Sequence, residues 1–389
     1  MKNLGLQYLF IIILGLFHIS CSEEKESSGQ EIFIEVSSKI KAYYADTNLS
    51  PEYPFPKFTW ISSDEFIGHN MVRKSLDTLF FDGDTLRIKE GPYFENDGPR
   101  KVENFNNLVS TSEGLVFFNS KNIMIDRDGV SDIKNFRLIE DDVFDNSVFF
   151  NLNGGVSYYL DELYKGYDKK REQLYFFALQ FQTKEFKLLA FDLGEKKFKE
   201  LPMWANINLI QANEVSFKGI SKNHMPFIFV DGDRLILSYN YSNDLVIVDL
   251  GTGHQIEKNF PSNLFPLYKK APKEINPNYD LSNLEHFKMV NELLNEWDRD
   301  VAFGNFEKLP KNRGFCRLVK SPQKENTSPQ QISLEVFDIE FEKVGEVNLS
   351  EIEVDLSTFY FVKNEKLFFK AKNQEDENYL SYYFVEVDY

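Results

Sequence analysis

The sequence predicts an all-β fold, a β-propeller of six blades carrying a short helical insert near residues 282–298. Three observations carry the prediction. Aromatic side chains make up 15% of residues and Phe alone counts 38, a composition that suits pleated, half-buried surfaces better than helices. Short strand-like runs bounded by Gly, Asn and Asp recur from one end of the chain to the other. Two stretches, Gly114 to Gly129 and Asp233 to Gly251, repeat one pattern: a strand, an Asn-rich turn, a second strand ending in Asp, then a glycine turn.

At the N-terminus, Lys2 precedes an apolar run from Leu9 to Phe17. The run falls short of the roughly 20 apolar residues that a membrane span needs, and Met1 to Ser20 therefore reads as a signal peptide. The following His18-Ile19-Ser20-Cys21 resembles the lipobox of bacterial lipoproteins, with His18 where Leu is usual. That resemblance implies acylation of Cys21 and attachment to a membrane through lipid. Two or three acyl chains hold a protein on a bilayer far longer than one does. Residues 21–30 are polar and charged, composition for a tether, and they resemble the acidic signal that sends Bacteroidetes lipoproteins to the outer face of the outer membrane.

Residues 31–389 then read as one β domain. Strands are expected at Glu31 to Val36, Phe58 to Ile61, Thr78 to Phe81, Leu115 to Phe118, Ile123 to Asp126, Val148 to Leu152, Leu174 to Phe181 and Lys187 to Asp192. Eight more follow: Phe227 to Val230, Arg234 to Tyr239, Leu245 to Leu250, Phe315 to Val319, Ser333 to Ile339, Thr358 to Phe361, Lys366 to Lys370 and Tyr382 to Val387. About 360 mature residues at roughly 55–60 per blade suggest six. A pair of β-sandwiches is the main rival, although no linker divides the middle of the chain. Between Leu264 and Asp300, three prolines mark a loop, after which Leu284, Phe287, Val290, Leu293, Leu294 and Trp297 recur at helical spacing behind the cap candidate Ser282. This predicts an amphipathic insert packed on the body. Closed propellers often join their ends in one blade, so Glu31 to Val36 is expected beside C-terminal strands.

Several function classes are disfavoured. A net charge of −17 spread along the chain lacks the basic face that binds phosphates, so nucleic acid is not an expected partner. Cys316 has no second cysteine once Cys21 carries lipid, and its strand-like context reads as an inert core residue. His69, His224, His254 and His286 are far apart in sequence, without H-E-x-x-H spacing, and no metal or cofactor is expected. No G-x-S-x-G elbow, P-loop or G-x-G-x-x-G is present. Asp126-Arg127-Asp128-Gly129-Val130-Ser131-Asp132 offers three carboxylates around a glycine, as calcium loops do, but lacks the closing Glu, which favours a hairpin turn; Asp82-Gly83-Asp84 and Asp231-Gly232-Asp233 read the same way. The acid pairs at Glu140-Asp141-Asp142 and Asp161-Glu162 could serve a glycosidase only if they faced one cleft.

The lipobox, Gly91-Pro92 and Gly98-Pro99, Gly314-Phe315-Cys316-Arg317, Val336 to Glu346, and Glu375 to Tyr379 before a closing strand resemble an uncharacterised lipoprotein family of Bacteroidetes. That family is a domain of unknown function related to six-bladed TolB-like β-propellers. The resemblance implies fold and envelope location and assigns no catalytic residue. Taken together, the expectation is a surface-exposed outer-membrane lipoprotein, a non-catalytic binding or scaffold propeller for an unknown ligand or protein partner. The alternative is an extracellular hydrolase or lyase with a dispersed acidic site at the channel.

Overall fold

The structure, a computed structural model, describes most of residues 32–389. Residues 1–31, 45–57, 61–64, 71–74, 94–97, 138–149, 154–163, 181–184, 324–329 and 374–378, with some shorter stretches between strands, fall outside the description. Cys21, His224 and the acid pairs at 140–142 and 161–162 lie there.

Six antiparallel blades succeed one another in chain order. Blade 1 holds Phe58–Trp60, Glu65–Asn70, Ser75–Asp82 and Thr85–Lys89, and blade 2 holds Asn107–Thr111, Gly114–Phe118, Asn122–Asp126 and Lys134–Arg137. In blade 3, Phe150–Asn153 and Tyr167–Asp168 share the first position before Gln173–Gln180, Glu185–Asp192 and Lys197–Leu201. Blade 4 comprises Phe227–Asp231, Arg234–Tyr239, Ser242–Asp249 and Gln255–Asn259. Blade 5 likewise opens with two short strands, Ala302–Phe303 and Glu307–Lys308, before Phe315–Lys320, Ile332–Phe337 and Lys343–Asn348.

Blade 6 is built from both ends of the chain. Leu356–Lys363, Lys366–Ala371 and Tyr379–Asp388 are completed by Phe33–Val36, in the register Phe33↔Asp388 to Val36↔Val385. The expected closure is therefore present. Ile40–Tyr44 extends it, pairing with Tyr379 to Tyr382 on one side and, in parallel, with Leu86 to Ile88 of blade 1 on the other. Each predicted strand coincides with an observed one, although the strand predicted to reach Ile339 ends at Phe337.

The apolar content follows from the geometry. A blade inside the ring is covered on both faces, so its middle strands read as nearly continuous apolar runs. Successive side chains on a strand point to opposite neighbours. Phe176 and Phe191 of blade 3 pack on Val116, Phe118 and Ile125 of blade 2, whereas Tyr175, Phe177 and Ala190 meet Leu235, Leu237 and Val248 of blade 4. Cys316, Leu318 and Val336 of blade 5 likewise face Leu367, Phe369 and Val385 of blade 6.

Two faces result. One, the turn face, collects the connections from first to second and from third to fourth strands. There the strand-ending Asp residues noted in the sequence close the turns: Asp192 Oδ1 accepts from the Gly194 and Glu195 amides, Asp249 Oδ1 from Gly251 and Thr252, and Asp338 Oδ1 from Glu340 and Glu342. Gly232 (φ 62°) forms the predicted tight turn of blade 4. Gly314 needs its missing side chain as well: at φ 142°, a Cβ would sit 2.0 Å from the Phe337 carbonyl oxygen.

The opposite face carries the longer connections. Helix α1, Ile207–Ala212, and a hairpin of Val215–Phe217 with Ile220–Lys222 lie between blades 3 and 4. Between blades 4 and 5 runs the insert with helix α2, Leu284–Asp298. Val290, Leu294 and Trp297 bury against Val215 and Phe217, confirming a helix packed on the body. The cap is Asn283, whose side chain accepts from the Glu285 and His286 amides, and not Ser282. Ser282 instead gives its amide to Asp280, which moves the helix start on by one residue.

Candidate functional site

First strands of successive blades abut one another, with Phe58–Trp60 against Asn107–Thr111, Tyr167–Asp168 against Phe227–Asp231, and Glu307–Lys308 against Leu356–Lys363. They are thus innermost, and near their turn-face ends several charged side chains of the described residues come together. Lys165 reaches past Phe229 to the Glu307 carboxylate and donates to the Phe306 carbonyl at 2.7 Å. Asp231 lies 2.8 Å from Lys308 of blade 5 and 2.6 Å from Arg234 of its own blade. Asp233 receives both Lys170 and Arg171 of blade 3 at 2.8 Å, and Arg171 also binds buried Asp168 at 2.9 Å.

These contacts belong to a rim of ties between blades. Glu113 of blade 2 forms an ion pair with Lys196 of blade 3 (3.2 Å). Arg234 of blade 4 donates to the Ile339 carbonyl of blade 5 (2.8 Å), and Lys258 meets Glu342 (2.6 Å). Arg313 of blade 5 grips Asp388 of blade 6 at 2.9 Å and stacks near Tyr389, whose hydroxyl donates to the Arg313 carbonyl.

The electrostatics agree with a structural role. Burial pushes the Asp231 carboxyl up, but hydrogen bonds from Lys308 and Arg234 outweigh it and hold the group below its usual range. Lys170 and Arg171 lower Asp233, and Lys196, followed by Arg127, lowers Glu113. A general acid near neutrality needs the opposite, a carboxyl whose pKa is raised.

A second polar group lies inside the interface of blades 4 and 5. Arg317 and Glu335 are fully buried cross-strand partners, joined from Nε to Oε2 at 2.7 Å. The other Glu335 oxygen meets Lys343 at 2.8 Å, and Lys343 continues to Glu346 at 2.6 Å and to the Pro261 carbonyl at 2.7 Å. At its inner end the Arg317 guanidinium donates to Asn243 of blade 4 and lies 5.0–5.5 Å from the rings of Phe303, Phe306 and Phe337. The outer end opens on a cleft of about 790 Å³ between Ile256 to Pro261 and Glu342 to Glu346. Neither Arg317 nor Glu335 stood out in the sequence. The available signal was one cation and one anion, each in the middle of an apolar strand.

Other sequence candidates remain apart. Cys316 is buried, and burial pushes its thiol far above the ordinary range, as expected of an inert core residue. His254 is exposed on a turn, His286 stacks on Tyr279 in the insert, and His69 packs on Phe105 near blade 2. Among the described residues no three His, Cys, Asp or Glu side chains are grouped to hold a metal ion. Asp126 ends a strand as predicted, while Asp128 and Gly129 fall outside the description. No described helix is long and apolar enough to cross a membrane.

No curated protein sequence matches the chain. Among solved structures, a DUF4221 family member from Bacteroides vulgatus superposes with a TM-score of 0.62 at 16% identity, over 92% of this chain and 99% of that one. A Bacteroides fragilis protein assigned as exported gives 0.48 at 10% identity, over 92% and 96%. A Bacteroides uniformis protein assigned as a 6-phosphogluconolactonase gives 0.39 at 9%, over 86% and 88%. The first likeness concerns the fold alone, and neither of the other two assignments is carried to this chain. The family described as Domain of unknown function (DUF4221) matches residues 33–348, which include the first strand of the chain and blades 1 to 5. The chain belongs to the DUF4221 family.

Proposed function

We propose that the mature protein is a non-catalytic binding or scaffold propeller, held at the outer membrane by lipid on Cys21 and displayed at the cell surface. The observation that carries the reading is the state of the acids around the inner strands. Asp168, Asp231, Asp233 and Glu307 are each taken up by a cation, in three of the four cases from another blade. Ties of this kind stiffen a ring so that its loops are presented in fixed positions. A hydrolase or lyase at the channel would need at least one carboxyl freed to carry a proton, and Asp231 and Asp233 are shifted the other way.

Two measurements test the proposal. Cells fed an alkynyl palmitate should label the wild type and not Cys21→Ala, and protease added to intact cells should remove the body. Unlabelled wild-type protein would overturn the anchor. Asp231→Asn and Glu307→Gln should each lower the melting temperature, because they remove ties. Residues kept for catalysis often strain the fold, so a rise in stability on substitution would favour the enzyme.

A further inference from the structure

The strand register of blade 6 fixes where the anchor meets the body. Phe33 pairs with Asp388, and Asp388 sits at the turn-face end of its strand, beside Arg313 of blade 5. The insert with helix α2 leaves blade 4 after Asn259, at the other end of the blades; there Asn243 donates its amide to the Leu267 carbonyl and Lys269 to that of Tyr241. The chain thus enters the ring on the face opposite the insert.

Length turns this entry point into an orientation. About 12 residues, Cys21 to Ile32, separate the acylated thiol from the first paired residue, a length that reaches at most about 40 Å at full stretch. The ten-residue strand Tyr379–Asp388 stands about 33 Å tall. A lipid on so short a lead lies at the turn face, where the lead begins, and gets past the blade to the insert face only at nearly full stretch. At this end Phe33, which is 61% exposed, projects from the outer strand of blade 6, and exposed Lys311 lines with Lys366 the cleft between blades 5 and 6. Lys311 and Asn312 both hold left-handed backbone (φ 60° and 55°), a conformation that costs a non-glycine residue energy and here carries their loop out between blades 5 and 6. Among the described residues Lys311, Arg313 and Lys366 line one cleft with Glu386 and Asp388, so cations match or outnumber acids there within a chain of net charge −17. An aromatic side chain and two lysines suit the boundary between headgroups and acyl chains.

We propose that the propeller stands with the blade 5–6 rim of its turn face on the phospholipid bilayer and holds the insert-bearing face outward. The inference rests on the lipid anchor proposed above. Vesicles of phosphatidylcholine and phosphatidylglycerol, doped with a lipid whose headgroup bears a short amine-reactive ester, read the orientation directly. After flotation of the acylated protein, mass spectrometry should find Lys311 and Lys366 crosslinked to lipid well above Lys273 and Lys288 of the insert. Each yield is normalised to labelling by the same ester in solution. Equal yields, or higher yields on the insert, overturn the orientation. A second arm couples Cys21 of the mature chain to a maleimide phospholipid, since Cys316 is buried and does not compete. If only this form floats and crosslinks through the rim, the natural anchor fails while the orientation stands.

Discussion

Deleting the last strand is the most direct test of ring closure. Tyr379–Asp388 is paired on both edges, with Lys366–Ala371 on one and with Phe33–Val36 and Ile40–Tyr44 on the other. Its side chains Tyr382, Tyr383, Val385 and Val387 are 2%, 6%, 1% and 3% exposed. Burying a large apolar side chain contributes about 1.5–3 kcal/mol, so these four contribute roughly 6–12 kcal/mol. A whole domain is stable by only about 5–15 kcal/mol. Removing residues from Leu380 onward should therefore abolish the cooperative transition, and Val385→Ala, which loses two carbons and leaves a cavity, should cost about 2–3 kcal/mol. Thermal and urea unfolding followed by circular dichroism measure both variants. A truncated chain melting within about 2 °C of the full one, a loss below about 1 kcal/mol, would refute closure by this strand.

Other substitutions probe the ties and turns. Arg317→Met leaves Glu335 buried beside Lys343 alone and should cost about 3–5 kcal/mol in urea unfolding; adding Glu335→Leu should recover most of it, and a double variant no better than the single one would speak against the pair. Gly314→Ala combines left-handed backbone with a collision at the Phe337 carbonyl and should lose more than about 2 kcal/mol. Asp231 and Glu113 have folded pKa values below their unfolded ones, so they add stability that is complete above about pH 4–4.5 and lost as pH falls through the folded values. Acid titration of the melting temperature should show a decline starting near that pH, shallower in Asp231→Asn.

What could be read from the sequence follows what each segment buries. Second and third strands, covered on both faces, carry long apolar runs such as Leu174 to Phe181 and Arg234 to Tyr239, and these stood out. The fourth strands of blades 2 and 4 did not. Gln255–Asn259 is almost wholly exposed and Lys134–Arg137 nearly so, so neither shows the alternation that marks a half-buried strand. The paired openings of blade 5, Ala302–Phe303 and Glu307–Lys308, are too short to show any period. The helix was plain from its spacing, but its start was not, because Ser282 and Asn283 are both good caps and only the Asp280 turn decides between them. Arg317 and Glu335 were hidden for a different reason. A charge within an apolar strand is uninformative until the register places its counter-charge opposite, and register is a tertiary property.

The same reasoning bears on where the folding unit ends. The family match stops at residue 348, after the last strand of blade 5, while residues 356–388 supply three strands of blade 6. Among the described strands Phe33–Val36 pairs with Tyr379–Asp388, which lies outside the matched span, and Arg313 of the span likewise loses both Asp388 and the Val387 carbonyl. The apolar side of blade 5, Cys316, Leu318, Leu334 and Val336, would face water where Leu367, Phe369, Tyr383 and Val385 now cover it. A fragment of residues 33–348 thus exposes a blade-sized apolar surface and an unpaired strand edge, both prone to aggregate. It should be insoluble or oligomeric on size exclusion, whereas residues 31–389 should be soluble and melt cooperatively. A monomeric, cooperatively melting fragment would mean that five blades form a ring without the sixth.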